Sequence, residues 1–258
     1  MTAKPDGGTA GERIAKVIAR RSPYSRRDAE RLIADGRVTL AGQPVSQPAR
    51  NVPPDAAIEI DGESLAGAAP IRLFRYYKPV GHVTTHRDPE GRPTVFDHLP
   101  PTLKDEVARL VSVGRLDINS EGLLLLTNDG GLARHLELPA TGWRRRYRVR
   151  VHGRPDPDGL ARLAGGVTIE GVSYGPIEAR LEQRTGANAW LTVSLREGKN
   201  REVRRVMAQL GLEVNRLIRI AYGPFQIGRL KPGDAAEVPA KVLREQLGGV
   251  LKELGRSG

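Results

Sequence analysis

Val113-Gly-Arg-Leu-Asp-Ile-Asn-Ser-Glu-Gly-Leu-Leu-Leu-Leu-Thr-Asn-Asp-Gly130 decides how the rest of the sequence is read. A short apolar run, Leu110 to Val113, breaks at Gly114 into a polar loop that carries Arg115 and Asp117. Four consecutive leucines, Leu123 to Leu126, follow before Asn128-Asp-Gly130 closes the stretch. An unbroken apolar run between turn signals reads as a strand buried on both faces, although periodicity alone leaves a helix open. The loop therefore holds a guanidinium and a carboxylate at the lip of a core element, where binding and catalytic groups concentrate. On spacing alone, a turn-capping role for Asp117 is the commoner outcome.

The chain of 258 residues has room for one large domain, or for a large and a small one with separate cores. Its hydrophobic content of 39% is ordinary, and no apolar run nears the roughly 20 residues of a membrane span. Met1 to Gly11 is rich in Gly and Pro and lacks the apolar centre of a signal peptide, so residues 1–10 read as a disordered tail. The sequence has no cysteine, which excludes disulfides, thiolate zinc sites and a cysteine nucleophile and fits a reducing cytoplasm. Net charge is +11, with arginine greatly outnumbering lysine. That excess points to a polyanion, and the planar arginine fork suits phosphates and stacked bases. Nucleic acid is the expected partner rather than a membrane.

Ile14, Val17 and Ile18 fall at helical spacing, and Ser25 with Asp28 offers a capping box for a second helix whose apolar face is Ala29, Leu32 and Ile33. Gly36 ends it, and short strands are expected at Val38 to Leu40 and around Val45. Arg26, Arg27, Arg31 and Arg37 lie on or beside that helix, off its apolar stripe. Asp61 to Pro70 is small, polar and contains Gly and Pro, so residues 67–70 read as a flexible linker.

Beyond it a strand is expected from Arg72 to Tyr76, a turn-rich loop from Asp88 to Asp97, and a short helix from Gly131 to Leu138. Tyr147, Val149 and Val151 alternate with Arg146, Arg148 and Arg150, giving a strand with one apolar and one cationic face. Leu191, Val193 and Leu195 mark another strand. Asn200 is expected to cap a helix running to Leu210, ahead of strands at Val214 to Tyr222 and Ala236 to Val238 and a helix from Ala240. Strands mixed with a few helices, without regular βαβ alternation, predict an α+β fold with a largely antiparallel sheet.

Gly114-Arg-Leu-Asp117 followed by Ser120-Glu-Gly-Leu-Leu-Leu-Leu-Thr-Asn-Asp-Gly130 resembles the signature of RNA pseudouridine synthases of the RsuA/RluB branch. Lys78-Pro-Val-Gly81 and the Asp88 to Asp97 segment match the same branch. Ser25 to Ile33 with Gly36-Arg-Val-Thr-Leu-Ala-Gly42 resembles the small RNA-binding domain of ribosomal protein S-four. Arg21-Ser-Pro-Tyr24 departs from that pattern, which usually has a small residue and Gly there. The resemblance spans residues 11 to about 247. It implies an S-four-like domain over residues 11–66 and a synthase domain over 71–258.

The resemblance also assigns roles. Asp117 is the essential catalytic carboxylate, acting by covalent attack or by removing a ribose proton. Tyr147 packs on the target base, Arg204 pairs with Asp117, Arg115 assists base flipping, and Leu217 lines the uracil pocket. Arg26, Arg27, Arg31 and Arg37 present the basic face to structured RNA. The isomerisation breaks the bond from ribose to uracil nitrogen, turns the base and rejoins it through carbon, so no cofactor and no metal is implied. A splayed uridine costs a few kcal/mol to unstack, partly recovered on aromatic and arginine planes. Asp88 to Asp97 and the Arg144 to Arg150 run are most similar to the RluB subgroup, which modifies large-subunit (23S) ribosomal RNA. The expected partner is that RNA or a pre-ribosomal particle, met by a cytoplasmic monomer. The alternatives are a small-subunit (16S) enzyme and a non-enzymatic ribosome-assembly factor. His82 and His86 have metal-ligand spacing, but Val83 stands where a zinc protease helix needs Glu.

Overall fold

The computed structural model describes residues 11–254, so the tail expected over residues 1–10 lies outside the described residues. The chain divides into two compact units, one running to Ile71 with Ala108–Leu110, the other Arg72–Val107 with Val111–Gly258. The fold is α+β: a small unit of helices and short strands is followed by a larger unit built on a mainly antiparallel sheet.

In the first unit the helices Ile14–Arg21 and Arg26–Ala34 bury Ile14, Val17, Ile18, Ala29, Leu32 and Ile33 against Val38, Ile58 and Ile60. The second helix starts at the expected capping box. Asp28 N–H donates to the Ser25 hydroxyl and the Asp28 carboxylate accepts from Ser25 N–H. Val38–Leu40 sits between Gln43–Pro44 and Ile58–Ile60 in a small antiparallel sheet. Arg21, in the segment that departs from the S-four pattern, donates to the carbonyls of Ala56, Leu65 and Ala66 at 2.6–2.7 Å.

The second unit is built on a sheet in the order Ile177–Thr185, Asn188–Leu195, Arg145–His152, Glu213–Tyr222, Glu121–Thr127, Leu73–Lys78, Ala235–Glu237. Val111–Val113 pairs with Glu121–Thr127 at its side. Glu213–Tyr222 runs parallel to Glu121–Thr127, with Ile218 opposite Glu121 and Arg219 opposite Gly122, whereas the other pairings in this path are antiparallel. The leucine run is a strand, as its pattern predicts, and Leu123 to Leu126 are each 0% exposed. Gly122 (φ +102°) lets the parallel strand approach, because a Cβ there would stand 2.3 Å from the Arg219 carbonyl oxygen.

The alternation from Arg145 to His152 is realised residue by residue: Tyr147, Val149 and Val151 are buried, and Arg146, Arg150 and His152 are exposed. Other expectations shift. The helix expected to follow an Asn200 cap spans Glu202–Gln209, and its N-cap is Arg201, held at φ +51°. Asn200 does not cap it; the Glu202 carboxylate accepts the Lys199 N–H instead, at 2.9 Å. The strand Ile177–Thr185 was not foreseen, although Ile177, Ala179 and Leu181 alternate with charged residues.

Candidate active site

The segment from Leu116 to Ser120 links Val111–Val113 to Glu121–Thr127, and side chains and backbone groups from elsewhere hold it in place. The Thr84 hydroxyl donates to Leu116 O at 2.9 Å and accepts from Leu116 N–H at 3.3 Å. Ser120 N–H closes a turn on Asp117 O at 2.9 Å, and Gly81 N–H donates to Ile118 O at 2.8 Å. The Arg204 guanidinium donates to Asn119 O at 2.9 Å, and the Lys78 ammonium donates to Ser120 O at 2.8 Å. Five successive carbonyls, from Leu116 to Ser120, therefore each accept a hydrogen bond. Backbone carbonyls of a loop pulled into a fold need such partners.

The Asp117 side chain, unlike the loop carbonyls, is not tied down. It is half-buried, and among the described residues it makes no hydrogen bond or ion pair. Lys78 and Arg204 both feel its charge. Lys78 is 0% exposed, and burial pulls its pKa down to about 8, with Asp117 and Glu121 acting in the opposite direction. Burial likewise lowers Arg204, helped by Arg201 and opposed by Asp117. Arg204 also donates to Val214 O at 2.8 Å, so its donors hold backbone rather than the carboxylate. The direct pairing of Arg204 with Asp117 expected from the resemblance is replaced by a longer-range attraction. Arg205 is exposed, so of the two neighbouring arginines it is Arg204 that turns inward.

Asp117 lines a cleft of about 750 Å³ with Arg115, Tyr147, Leu217 and Arg219 among its other walls. Tyr147 is 8% and Leu217 6% exposed, whereas Arg115 is exposed. Tyr147 faces Arg219 across neighbouring strands, and Val149 faces Leu217, so all four side chains share one side of the sheet. Arg219 donates Nε to Leu123 O at 2.7 Å, which fixes it to the leucine strand. At another wall the buried Arg145 donates to the Tyr222 hydroxyl at 2.8 Å, and Tyr222 donates to Leu136 O. Glu202 also lines the cleft; burial raises its pKa, and its Oε1 has no hydrogen-bond partner among the described residues.

On the opposite side of the sheet Glu121 accepts from Arg216 Nε at 2.7 Å and from the Tyr77 hydroxyl at 2.8 Å. Burial would raise Glu121, but those bonds outweigh it and hold the carboxyl below its usual range. This triad ties the leucine strand to both its neighbours.

Lys78, Thr84 and Arg219 were not singled out from the sequence. A lysine ending an aromatic strand before Pro79 was the available signal for Lys78, and an arginine inside Leu217-Ile-Arg-Ile was that for Arg219. In the first unit Arg26, Arg27, Arg31 and Arg37 are all exposed. Arg26 pairs with Glu30, Arg31 with Asp28 and Arg37 with Asp61, while Arg27 has no bonded partner among the described residues. Solvent screens exposed pairs of this kind, so a phosphate can exchange into them. His82 packs edge-on against His98 at 4.4 Å and His86 stacks on Phe96, so the two do not converge. Among the described residues no helix is long and apolar enough to cross a membrane.

The larger unit thus holds a charged cleft with an unbonded carboxylate, and a unit with exposed arginines precedes it in the chain. The family model for RNA pseudouridylate synthase matches residues 72–209, and that for the S4 domain matches residues 12–58. An uncharacterized RNA pseudouridine synthase of Rickettsia prowazekii is 45% identical over 235 residues, covering 91% of this chain and 97% of its own. Ribosomal large subunit pseudouridine synthase B of Yersinia pestis is 42% identical over 230 residues, covering 86% of this chain and 70% of its own. A crystal structure of a pseudouridylate synthase superposes with a TM-score of 0.61 at 26% identity, over 89% of this chain and 97% of that one. The chain belongs to the RNA pseudouridine synthase family and is an isomerase.

Proposed function

We propose that the protein converts a specific uridine of large-subunit ribosomal RNA to pseudouridine, with Asp117 as the essential carboxylate. The observation that carries this reading is an unengaged carboxylate on a loop whose five carbonyls are all held. Either first step, attack on the substrate or removal of a ribose proton, needs an ionised and unbonded carboxylate. Lys78 and Arg204 bring positive charge to the carboxylate's surroundings while their donors stay on the backbone. Such fixed charges around a reacting group lower a barrier without reorganising during the reaction.

Tyr147 packs against the extracted base and Leu217 closes the apolar side of its pocket. Arg115, exposed and lining the cleft, assists base flipping. Arg26, Arg27, Arg31 and Arg37 anchor structured RNA through its phosphates. The large-subunit assignment is supported by the likeness to the Yersinia pestis enzyme, with 86% of this chain aligned. The protein acts as a cytoplasmic monomer on ribosomal RNA or an assembling particle, without cofactor or metal.

Rejoining uracil through its carbon releases the hydrogen at that carbon to water. Transcripts of large- and small-subunit RNA carrying tritium at uracil C5 therefore test the reading. One equivalent of tritium released from large-subunit RNA alone is expected. Release from small-subunit RNA alone would transfer the assignment to that subunit. No release from either RNA, or from assembly intermediates, would leave an RNA-binding factor as the reading.

A further inference from the structure

The Arg145–His152 strand has a second side that the chemistry does not use. Arg146, Arg148 and Arg150 lie on the side opposite Tyr147, because successive side chains of a strand alternate. The sheet register adds to this row. Arg148 stands opposite Thr192, which stands opposite Arg180, and Arg150 stands between Trp190 and Arg216. Arg148 caps the Trp190 ring at 4.3 Å from its centroid. Carboxylates compensate only part of this charge: Glu182 takes Arg148 and Glu178 takes Arg144. Arg216 is spent on Glu121. Arg146, Arg150 and Arg180 are exposed and have no bonded partner among the described residues.

Side chains two apart on a strand are separated by roughly 6.6 Å, so Arg146 to Arg150 span about 13 Å of cationic surface. A fold gains nothing from holding three unpaired arginines together, and their mutual repulsion costs stability. We infer that this sheet face is a second RNA-binding surface, which takes the phosphodiester backbone of the substrate RNA at a place distant from the target uridine. It would complement the cleft on the other side of the same sheet, so a long RNA is gripped on both sides while a short one meets the cleft alone. The inference rests on RNA being the substrate, as proposed above.

The test is binding of unmodified large-subunit RNA transcript over a series of salt concentrations, by wild type and by an Arg146→Gln/Arg150→Gln variant. Neither side chain supports the fold by any bond, and thermal unfolding checks that. Each lost phosphate contact should lower the slope of log affinity against log salt by about 0.7–0.9, so the double variant should lose roughly 1.4–1.8. Affinity at low salt should fall at least tenfold, with turnover at saturating RNA unchanged. An Arg229→Gln/Arg244→Gln variant removes the same net charge from exposed positions elsewhere and should leave the slope as it is. Equal slopes for wild type and the Arg146/Arg150 variant would overturn the inference and leave an acidic protein as the candidate partner. Equal losses in both double variants would overturn it too, since total charge would then explain the effect. Wild type that binds RNA with the full slope but forms no pseudouridine would instead count against the proposed reaction.

Discussion

Replacing Lys78 by Met tests whether the loop bearing Asp117 is held by a buried cation. Methionine keeps the length and apolar stem of the side chain and removes the ammonium that donates to Ser120 O at 2.8 Å and Pro79 O at 3.0 Å. Two effects oppose each other. Lowering the pKa from 10.5 to about 8 means that the folded state carries about 3 kcal/mol of cost for the charged form at neutral pH, which Met abolishes. Losing the two bonds costs about 3–6 kcal/mol, at roughly 1.5–3 kcal/mol for each bond to a charged donor. At pH 7 the variant should therefore be less stable by only about 0–3 kcal/mol.

The difference must then grow with pH. Between about 8 and 10.5 the unfolded chain binds a proton at Lys78 that the folded chain has lost, so wild type gains stability as pH rises and the variant does not. The gap should widen by about 2 kcal/mol from pH 8 to pH 10. Urea unfolding read by tryptophan fluorescence measures it, since Trp143 and Trp190 both lie in the unit that contains Lys78. A gap that stays flat or narrows over this range would refute a buried, depressed lysine at this place.

Substitutions at three other places extend the test. Thr84→Val removes both bonds to Leu116 and should lower turnover about tenfold or more through misplacement of Asp117, with KM less affected, whereas Thr84→Ser should restore most of the rate; steady-state kinetics decide. Gly122→Ala combines a φ of +102° with a Cβ 2.3 Å from Arg219 O and should cost at least about 2 kcal/mol in denaturant melts. Arg26→Gln/Arg27→Gln should weaken binding of structured RNA and reduce its salt dependence by up to about two contacts, measured by titration at several ionic strengths. Unchanged binding at every ionic strength would remove the first unit from RNA recognition.

Much of the fold was legible because its signals are local. The leucine run needs no partner to read as a strand buried on both faces, and the Ser25–Asp28 box satisfies its own backbone within a single turn. The Asn200 expectation failed because the Glu202 carboxylate reaches back to Lys199 N–H and the helix starts one residue later, with Arg201 at its N-cap. The Ile177–Thr185 strand was missed because charged residues fill its outer side and hide a short apolar alternation. Asp117, Tyr147 and Leu217 could be named from their motifs, and they share one cleft. What holds Asp117 in place was not legible. Lys78 and Thr84 come from distant segments, Arg204 was named as a partner of the carboxylate rather than of the Asn119 carbonyl, and bonds from side chain to carbonyl leave no periodicity in a sequence.

The most direct test of Asp117 as the essential carboxylate uses wild type and Asp117→Asn on unmodified ribosomal RNA transcripts, with pseudouridine mapped by carbodiimide treatment and primer extension. The variant keeps the size of the side chain and loses its charge, and the loop carbonyls keep their partners. A single new stop in large-subunit RNA with wild type, and none with Asp117→Asn at unchanged RNA affinity, is the predicted result. The same stop produced by the Asn variant at a comparable rate would contradict it.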